Sequence, residues 1–392
     1  MATDEIRIGV LAALLGPFKA LGEEGVRGVE LAVSEFDGKI GEKRITLFVE
    51  TTSAVPDVAY SKAVILLARD SVDFIIGPLS GNEGLAVRNL AKTRPERVFI
   101  NGSAGAQELT LPNGAPNFYT FSMNGAQWMA GVGSYAAQQM GFKKMITIGE
   151  DYSFPYAQVG SFILEFCREG GQILNRFWVP LGTSDYSSYI DTMPTDIDAV
   201  FVALGGSDAV TFINQYQATR RKTPIIGGPI ALDQIVLNTI DNLPDSYIGT
   251  ISGGPVADDI ATPEWETFVT SYTTKFPYGF RAPSLTMYAY YINTKAALLG
   301  LSQIEGDLSN NQSRFKTALD NLEFESPTGP VKLDQHRHAI ANTFVTAIDK
   351  NSDGKLYIKR VQTNTAVNQT LGLPEADYLR IGPFGRDNPP CG

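Results

Sequence analysis

Residues 6–33 read IRIGVLAALLGPFKALGEEGVRGVELAV, and the change of period inside this stretch decides the fold class. Ile6–Ala12 is a short apolar run of strand length, the pattern of a strand covered on both faces. Gly16-Pro17 breaks it with a turn. After Gly22 the apolar residues Val26, Val29, Val33 and Phe36 return at helical spacing on one stripe. Strand, turn and helix in succession make one β-α unit.

Outward from this unit the alternation continues. Ile45–Glu50 reads as a strand, Pro56 opens a helix ending near Asp70, Asp73–Ile76 is a strand, and Gly81–Thr93 is a helix leading to the strand Arg97–Ile100. A short aromatic strand, Phe118–Phe121, runs into a helix over Asn124–Met140 with Asn124 as its N-cap. Gly131-Val132-Gly133 falls inside that helical pattern and marks close helix packing. A second series then supplies strands at Met145–Gly149, Gln172–Val179, Ala199–Leu204, Pro224–Ile226 and Tyr247–Ser252, with helices between them. Strands alternating with helices predict an α/β protein with parallel sheets in two similar halves. Helical patterns over Pro263–Phe276, Pro283–Gln303 and Gln312–Leu322 follow, and the remainder is β-like to Val361, with Asn351-Ser352-Asp353-Gly354 as a hairpin turn.

Composition limits the function classes. The chain has 392 residues, 43% hydrophobic and 19% charged, the balance of a folded globular protein with room for more than one core. A formal charge of −10 repels phosphate backbones, so no nucleic-acid partner is expected. No apolar run approaches the roughly 18 residues of a membrane helix, so no membrane span is expected. Met1–Glu5 shows neither a basic nor an apolar leader region, and a leader is expected to be absent from this chain rather than from its gene. Two cysteines, Cys167 and Cys391, stand outside any C-x-x-C pair; one buried thiol and one tail thiol, or a single bridge pinning the tail, both remain open.

Catalytic motifs are missing. Histidine occurs only at His336 and His338, which read as a solvated turn, and no third metal ligand has a family spacing. Asn101-Gly102-Ser103-Ala104-Gly105 lacks the first glycine of a nucleophile elbow. Asp349-x-Asn351-x-Asp353-Gly354 begins like a calcium loop, but its twelfth position is Arg360. Neither a P-loop nor a dinucleotide fingerprint follows the first strand. No catalytic residue, metal or cofactor is therefore assigned, and an enzyme is disfavoured.

What stands out is a set of loops at the carboxyl ends of strands, where open α/β sheets bind ligands. Leu14–Phe18, Pro78–Glu83 and Asn101–Gly105 lie so in the first half. Ser80-Gly81-Asn82 opens a helix whose free amides suit an anion, and Ser103-Ala104-Gly105 is expected to add exposed amides and a hydroxyl. In the second half Tyr152, Phe154 and Tyr156 follow a strand and precede a helix, as one wall of an apolar pocket.

Several of these residues together resemble the type I periplasmic solute-binding proteins of the branched-chain amino acid ABC-transporter family: Gly16-Pro17 with Gly22, Gly25, Gly28 and Leu31-Ala32; Ile75-Ile76-Gly77-Pro78; the loop 101–110 ending Glu108-Leu109-Thr110; Asp151-Tyr152-Ser153-Phe154; and Gly227-Gly228-Pro229. The resemblance runs to about Val361. It implies the type I periplasmic-binding-protein fold, two Rossmann-like lobes joined by a three-crossover hinge, closing around a small ligand. The crossovers fall near Ser122, Gly253 and Thr328, giving lobe one as 1–121 and 252–326, lobe two as 122–251 and 327–361, and a C-terminal tail over 362–392. It further implies a periplasmic address, a monomer, and an ABC permease as partner. An oxidising compartment would let Cys167 and Cys391 pair.

Departures from the amino-acid-binding members bear on the ligand. Their carboxylate-clamping hydroxyls align near Gly81 and Gly105, and the acid that holds the ammonium aligns with Ile230. A buried ammonium here would lack its counter-ion. The expected ligand is an aromatic carboxylate of benzoate or phenylpropenoate type, with Phe18, Ser80, Gly81, Asn82, Ser103, Ala104, Gly105, Tyr152, Phe154, Tyr156, Gly205 and Ile230 as binding residues. Branched-chain amino acid and small amide are the alternatives within the class, and a ligand-sensing receptor domain is the alternative from another.

Overall fold

The run Ile6–Ala12 lies within strand β1 (Glu5–Ala12), buried from Ile8 onward, in a computed structural model that describes residues 5–240 and 243–391. Its six-stranded sheet also contains β2 (Lys39–Ile40), β3 (Lys43–Thr51), β4 (Phe74–Ile76), β5 (Val98–Ile100) and β6 (Phe118–Tyr119), in the order β2-β3-β1-β4-β5-β6. All pairs are parallel except β2–β3. Helices α1 (Lys19–Ser34), α2 (Pro56–Ala68) and α3 (Gly81–Lys92) form the connections. Leu11, Leu66, Val87, Phe99 and Phe118 belong to one buried cluster, which is why these strands read as continuous apolar runs.

The next segment departs from expectation. A single helix over Asn124–Met140 was the prediction; the chain forms α4 (Gly125–Trp128) and α5 (Val132–Gln138), broken where Gly131 takes a left-handed φ of 85°. Gly133 does mark close packing, since a Cβ there would stand 2.4 Å from the Phe162 carbonyl oxygen. A second sheet follows: β7 (Lys144–Glu150), β8 (Gln172–Val179), β9 (Ala199–Ala203) and β10 (Ile225–Gly227), all parallel, in the order β10-β9-β7-β8. Its helices are α6 (Ser153–Arg168), α7 (Ser187–Thr192), α8 (Gly206–Ala218) and α9 (Gln234–Thr239). The strand expected at Tyr247–Ser252 is instead a 3-10 turn at Asp245–Tyr247 and a later strand β11 (Ile251–Gly254), separated by Gly249 at a φ of 84°.

Helices α10 (Pro263–Lys275), α11 (Leu285–Gln303) and α12 (Ser309–Asp320) precede β12 (Glu323–Ser326), β13 (Gly329–Leu333), β14 (Ala339–Lys350) and β15 (Leu356–Val367). The β14–β15 turn is held by Asn351, whose Oδ1 accepts the amides of Asp353 and Lys355, so the acidic loop is a hairpin turn. β15 continues past Val361, and a further helix, α13 (Glu375–Ile381), lies within the segment expected to be a plain tail. That segment is tied down: Cys167 and Cys391 form a disulfide with Cα atoms 5.5 Å apart. Of the two histidines, His336 lies in a turn as expected. His338 is fully buried, its Nδ1 2.8 Å from the Thr110 hydroxyl, because it sits at the foot of β14 beside Thr120.

The chain divides into two compact units. One runs to Asn124 and includes Thr270–Pro277 and Thr286–Ala341; the other takes Gly125–Val269, Tyr278–Leu285 and the chain from Asn342 on. Relative to the lobe ranges read from the sequence, residues 252–269 and 278–285 go with the second unit, and 122–124 and 327–341 with the first. Hydrogen bonds explain both assignments. Asp258 and Asp259 accept the amides of Ile358 and Arg360 on β15 at 2.8 and 2.7 Å. Thr328 bonds the Tyr288 hydroxyl at 2.7 Å, and the Thr120 amide donates to the Arg337 carbonyl at 3.1 Å.

Candidate functional site

Strand order locates the candidate site. In the first unit the chain moves from β1 outward to β3 and returns to β4 on the other side of β1, so the winding reverses at the carboxyl ends of β1 and β4. In the second it reverses between β7 and β9. Phe18 and Ser80–Asn82 follow β1 and β4; Tyr152, Phe154 and Tyr156 follow β7, and Gly205 follows β9. Ser103–Gly105 and Ile230 follow the neighbouring strands β5 and β10. Every residue expected at the site therefore lies beyond the carboxyl end of a parallel strand.

Ser80 is the N-cap of α3 in a reciprocal capping box. Its hydroxyl accepts the Glu83 amide at 3.5 Å, and its own amide donates to Glu83 Oε2 at 2.9 Å. Glu83 is completely buried, and burial pushes its carboxyl above the usual range, against the pull of the Thr52 hydroxyl. The Ser80 amide is thus already taken by an internal carboxyl. The spacing Ser80-x-x-Glu83 carried this signal in the sequence, and it was not read there.

The expectation of exposed amides at Ser103–Gly105 needs correction. The Ser103 amide donates to the Pro78 carbonyl at 3.1 Å and the Ala104 amide to Asn101 Oδ1 at 3.1 Å. The cause is Asn101, whose amide group also donates to the Ala104 carbonyl at 2.8 Å and folds the loop onto itself. The Ser103 hydroxyl, 3.4 Å from the Leu79 carbonyl, keeps its acceptor capacity. Phe18 is 1% exposed at the start of α1, its carbonyl accepting the Gly22 amide.

In the second unit Tyr152 is the N-cap residue of α6, with its ring centroid 6.5 Å from that of Phe154. Trp128 from α4 meets Phe154 edge-on at 5.7 Å, a ring the sequence reading missed. Tyr156 does not join them. Its ring packs edge-on against Trp178 of β8 at 4.8 Å, and its hydroxyl donates to Asp151. The expected three-ring wall is corrected to Tyr152, Phe154 and Trp128, because a step of two residues on a helix turns a side chain to another face.

Gly205 donates its amide to Glu150 Oε1 at 2.8 Å. Glu150, also missed, is completely buried at the end of β7; burial pushes its carboxyl well above the usual range, and Asp208 adds like charge. Among the described residues its Oε2 and the buried Tyr186 hydroxyl have no hydrogen-bond partner. Ile230 is 6% exposed, in a turn closed by the Ala231 amide on the Gly228 carbonyl at 3.0 Å. Among the described residues no cluster of His, Cys, Asp and Glu is arranged to hold a metal, and no helix is long and apolar enough to cross a membrane.

Two wound parallel sheets with candidate loops at the reversal points are joined by a match to a known family: residues 5–355 fit the periplasmic binding proteins. The chain belongs to that family. This binding protein is 22% identical over 366 residues to Leu/Ile/Val-binding protein homolog 6 of Brucella melitensis, with 92% of each chain covered. It is similar to the ABC transporter substrate-binding protein from Sphaerobacter thermophilus, at 28% identity and a TM-score of 0.83, over 93% of this chain and 99% of that one. It is also similar to a solute-binding protein of an ABC transporter from Rhodopseudomonas palustris BisB5 in complex with 3,4-dihydroxybenzoic acid, at 23% identity and a TM-score of 0.85, over 94% and 99%. The fold is the type I periplasmic-binding-protein fold, and the protein is an ABC-type solute-binding protein of a transport family rather than an enzyme family.

Proposed function

We propose that this binding protein captures an aromatic monocarboxylate of the benzoate or phenylpropenoate type and, as a periplasmic monomer, hands it to the permease of an ABC importer. The observation that carries the reading is Ile230. It is a buried aliphatic side chain on the loop after β10, where the resemblance to amino-acid-binding members calls for an acid. An ammonium left beside it has no counter-ion, a burial that costs several kcal/mol on the scale of ~2–7 for an unpaired polar group and more for a charge. Tyr152, Phe154 and Trp128 add ring surface suited to a flat apolar body. We assign carboxylate recognition to the Gly81–Asn82 end of α3, the Ser103 hydroxyl and Gly105, and count Phe18 as a further binding residue.

A thermal-shift panel tests this, because a ligand that binds only the folded state raises the midpoint as its concentration exceeds Kd. Benzoate, 4-hydroxybenzoate or cinnamate should stabilise the protein and leucine should not. Stabilisation by leucine with none by any aromatic acid would overturn the reading.

One observation favours a second reading, a branched-chain amino acid. The buried Glu150 has a carboxyl oxygen without a partner among the described residues, and an ammonium would supply one. On that reading Glu150→Gln abolishes leucine binding; on the aromatic reading it leaves benzoate binding within a few-fold.

A further inference from the structure

The C-terminal segment runs over α6 and β8 of the second unit and is fastened there at several points. Cys391 is bonded to Cys167 on α6. On β8, Arg176 donates to the Pro389 carbonyl at 2.5 Å, and the Trp178 indole donates to the Arg386 carbonyl at 3.2 Å. Phe384 lies so close to α6 that a Cβ on Gly160 would stand 2.4 Å from its ring. Tyr378 and Phe384 share a buried cluster with Ala126 and Ala157.

From this clamped segment the Arg386 guanidinium reaches Asp151. Its Nε donates to Asp151 Oδ1 at 2.9 Å and its Nη2 to Oδ2, a two-pronged pairing, while the Tyr156 hydroxyl holds the same carboxylate. Asp151 stands between two fixed points of the ring-bearing loop. Its amide donates to the Val179 carbonyl on β8 at 2.8 Å, and the next residue is Tyr152, whose amide returns to the Glu150 carbonyl at 3.0 Å. Tyr152 is extended at the head of α6, with φ of −157° and ψ of 176°.

We infer that Arg386 is a positioning residue for ligand binding: the clamped C-terminal segment holds Asp151 through it and so fixes the backbone that presents Tyr152. The inference rests on the proposed role of Tyr152 in the binding surface. Energetics separate positioning from support. The Arg386 side chain is 62% exposed, and ion pairs this exposed contribute little to global stability. What a forked pairing supplies is orientation, because both carboxylate oxygens are held in one plane. Loss of Arg386 should therefore show in the loop and in affinity while leaving the unfolding midpoint nearly in place.

The experiment compares the wild type with Arg386→Ala, Asp151→Asn and the double variant by amide hydrogen exchange over 150–156, thermal midpoint, and titration with 4-hydroxybenzoate and leucine. Each single variant should speed exchange of the Asp151 and Tyr152 amides with the midpoint little changed. Each should weaken the bound ligand on the order of tenfold, as when the competent loop population falls to about a tenth. The double variant should lose no more than either single one. Unchanged exchange over 150–156 in Arg386→Ala, or additive losses in the double variant, would overturn the inference. Binding of leucine by the wild type with none of benzoate, 4-hydroxybenzoate or cinnamate overturns the aromatic reading instead; the exchange measurement and the leucine titration then still decide whether Arg386 positions the loop.

Discussion

The Glu150 carboxylate accepts the Gly205 amide at 2.8 Å from a position with no exposed surface, joining the end of β7 to the head of α8. The contact satisfies one helix amide while leaving a carboxyl inside the protein, and its cost depends on pH. Burial holds the folded-state carboxyl well above its ordinary value, so from about pH 4.5 upward the folded state retains a proton the unfolded state has released. Stability conferred by the protonated group is full below that pH and declines as pH rises. Glu150→Gln should remove this decline, so that its stability relative to wild type grows by up to about 1.4 kcal/mol per pH unit across the window. Urea unfolding at intervals from pH 5 to 8 checks it, and parallel curves would refute it.

His338 has the opposite sign. Burial lowers its imidazole to about 4 against an ordinary value near 6.5, despite the attraction of Asp334. The unfolded chain binds the extra proton between pH 6.5 and 4, so the contribution is complete above pH 6.5 and lost on acidification through that window. His338→Gln should flatten the acid limb of the stability curve between pH 6.5 and 4. A limb of unchanged slope would show that other groups carry it.

Gly28→Ala should destabilise the protein although alanine is the better helix former by about 1 kcal/mol. The added Cβ would lie 2.3 Å from the Met287 carbonyl oxygen, a backbone atom that moves only with α11. Overpacking of this kind costs roughly 1–3 kcal/mol. The net effect expected is a lower unfolding midpoint; a midpoint at or above wild type would mean the two helices separate without loss.

Replacing Cys391 with serine should cost about 2–5 kcal/mol, the usual range for loss of a native bridge, here one with a separation of 224 residues. The thermal midpoint of Cys391→Ser should match that of wild type unfolded in dithiothreitol. A variant that melts with the oxidised protein would show that the arginine and phenylalanine contacts suffice to hold the segment.

Much of the architecture was legible because parallel strands buried on both faces leave apolar runs, and helices between them leave stripes. The parts that escaped share a cause. β15 beyond Val361 is largely exposed, so its residues carry no apolar alternation to announce a strand. The break at Gly131 is invisible because glycine inside a helical pattern reads the same whether its φ is negative or positive. At the site, strand-end position was readable from order alone, as with Tyr152 and Gly205. Where amides were already spent was not, as with Ser103 and Ala104, because that depends on how the Asn101 side chain folds back.

The Tyr290 hydroxyl donates to the Leu11 carbonyl at 2.8 Å, and Gly25 and Gly28 of α1 admit the same helix, α11. The first sheet and its covering helix are thus separated by most of the chain's synthesis. Until residues near 290 have emerged, the glycine-lined face of α1 has nothing to lie against, and loop-closure entropy opposes an early search. Neither unit is complete when its first sheet has been made: unit one waits for 286–341, with 125–269 of unit two made entirely within that interval, and unit two waits in turn for the chain from Asn342 on.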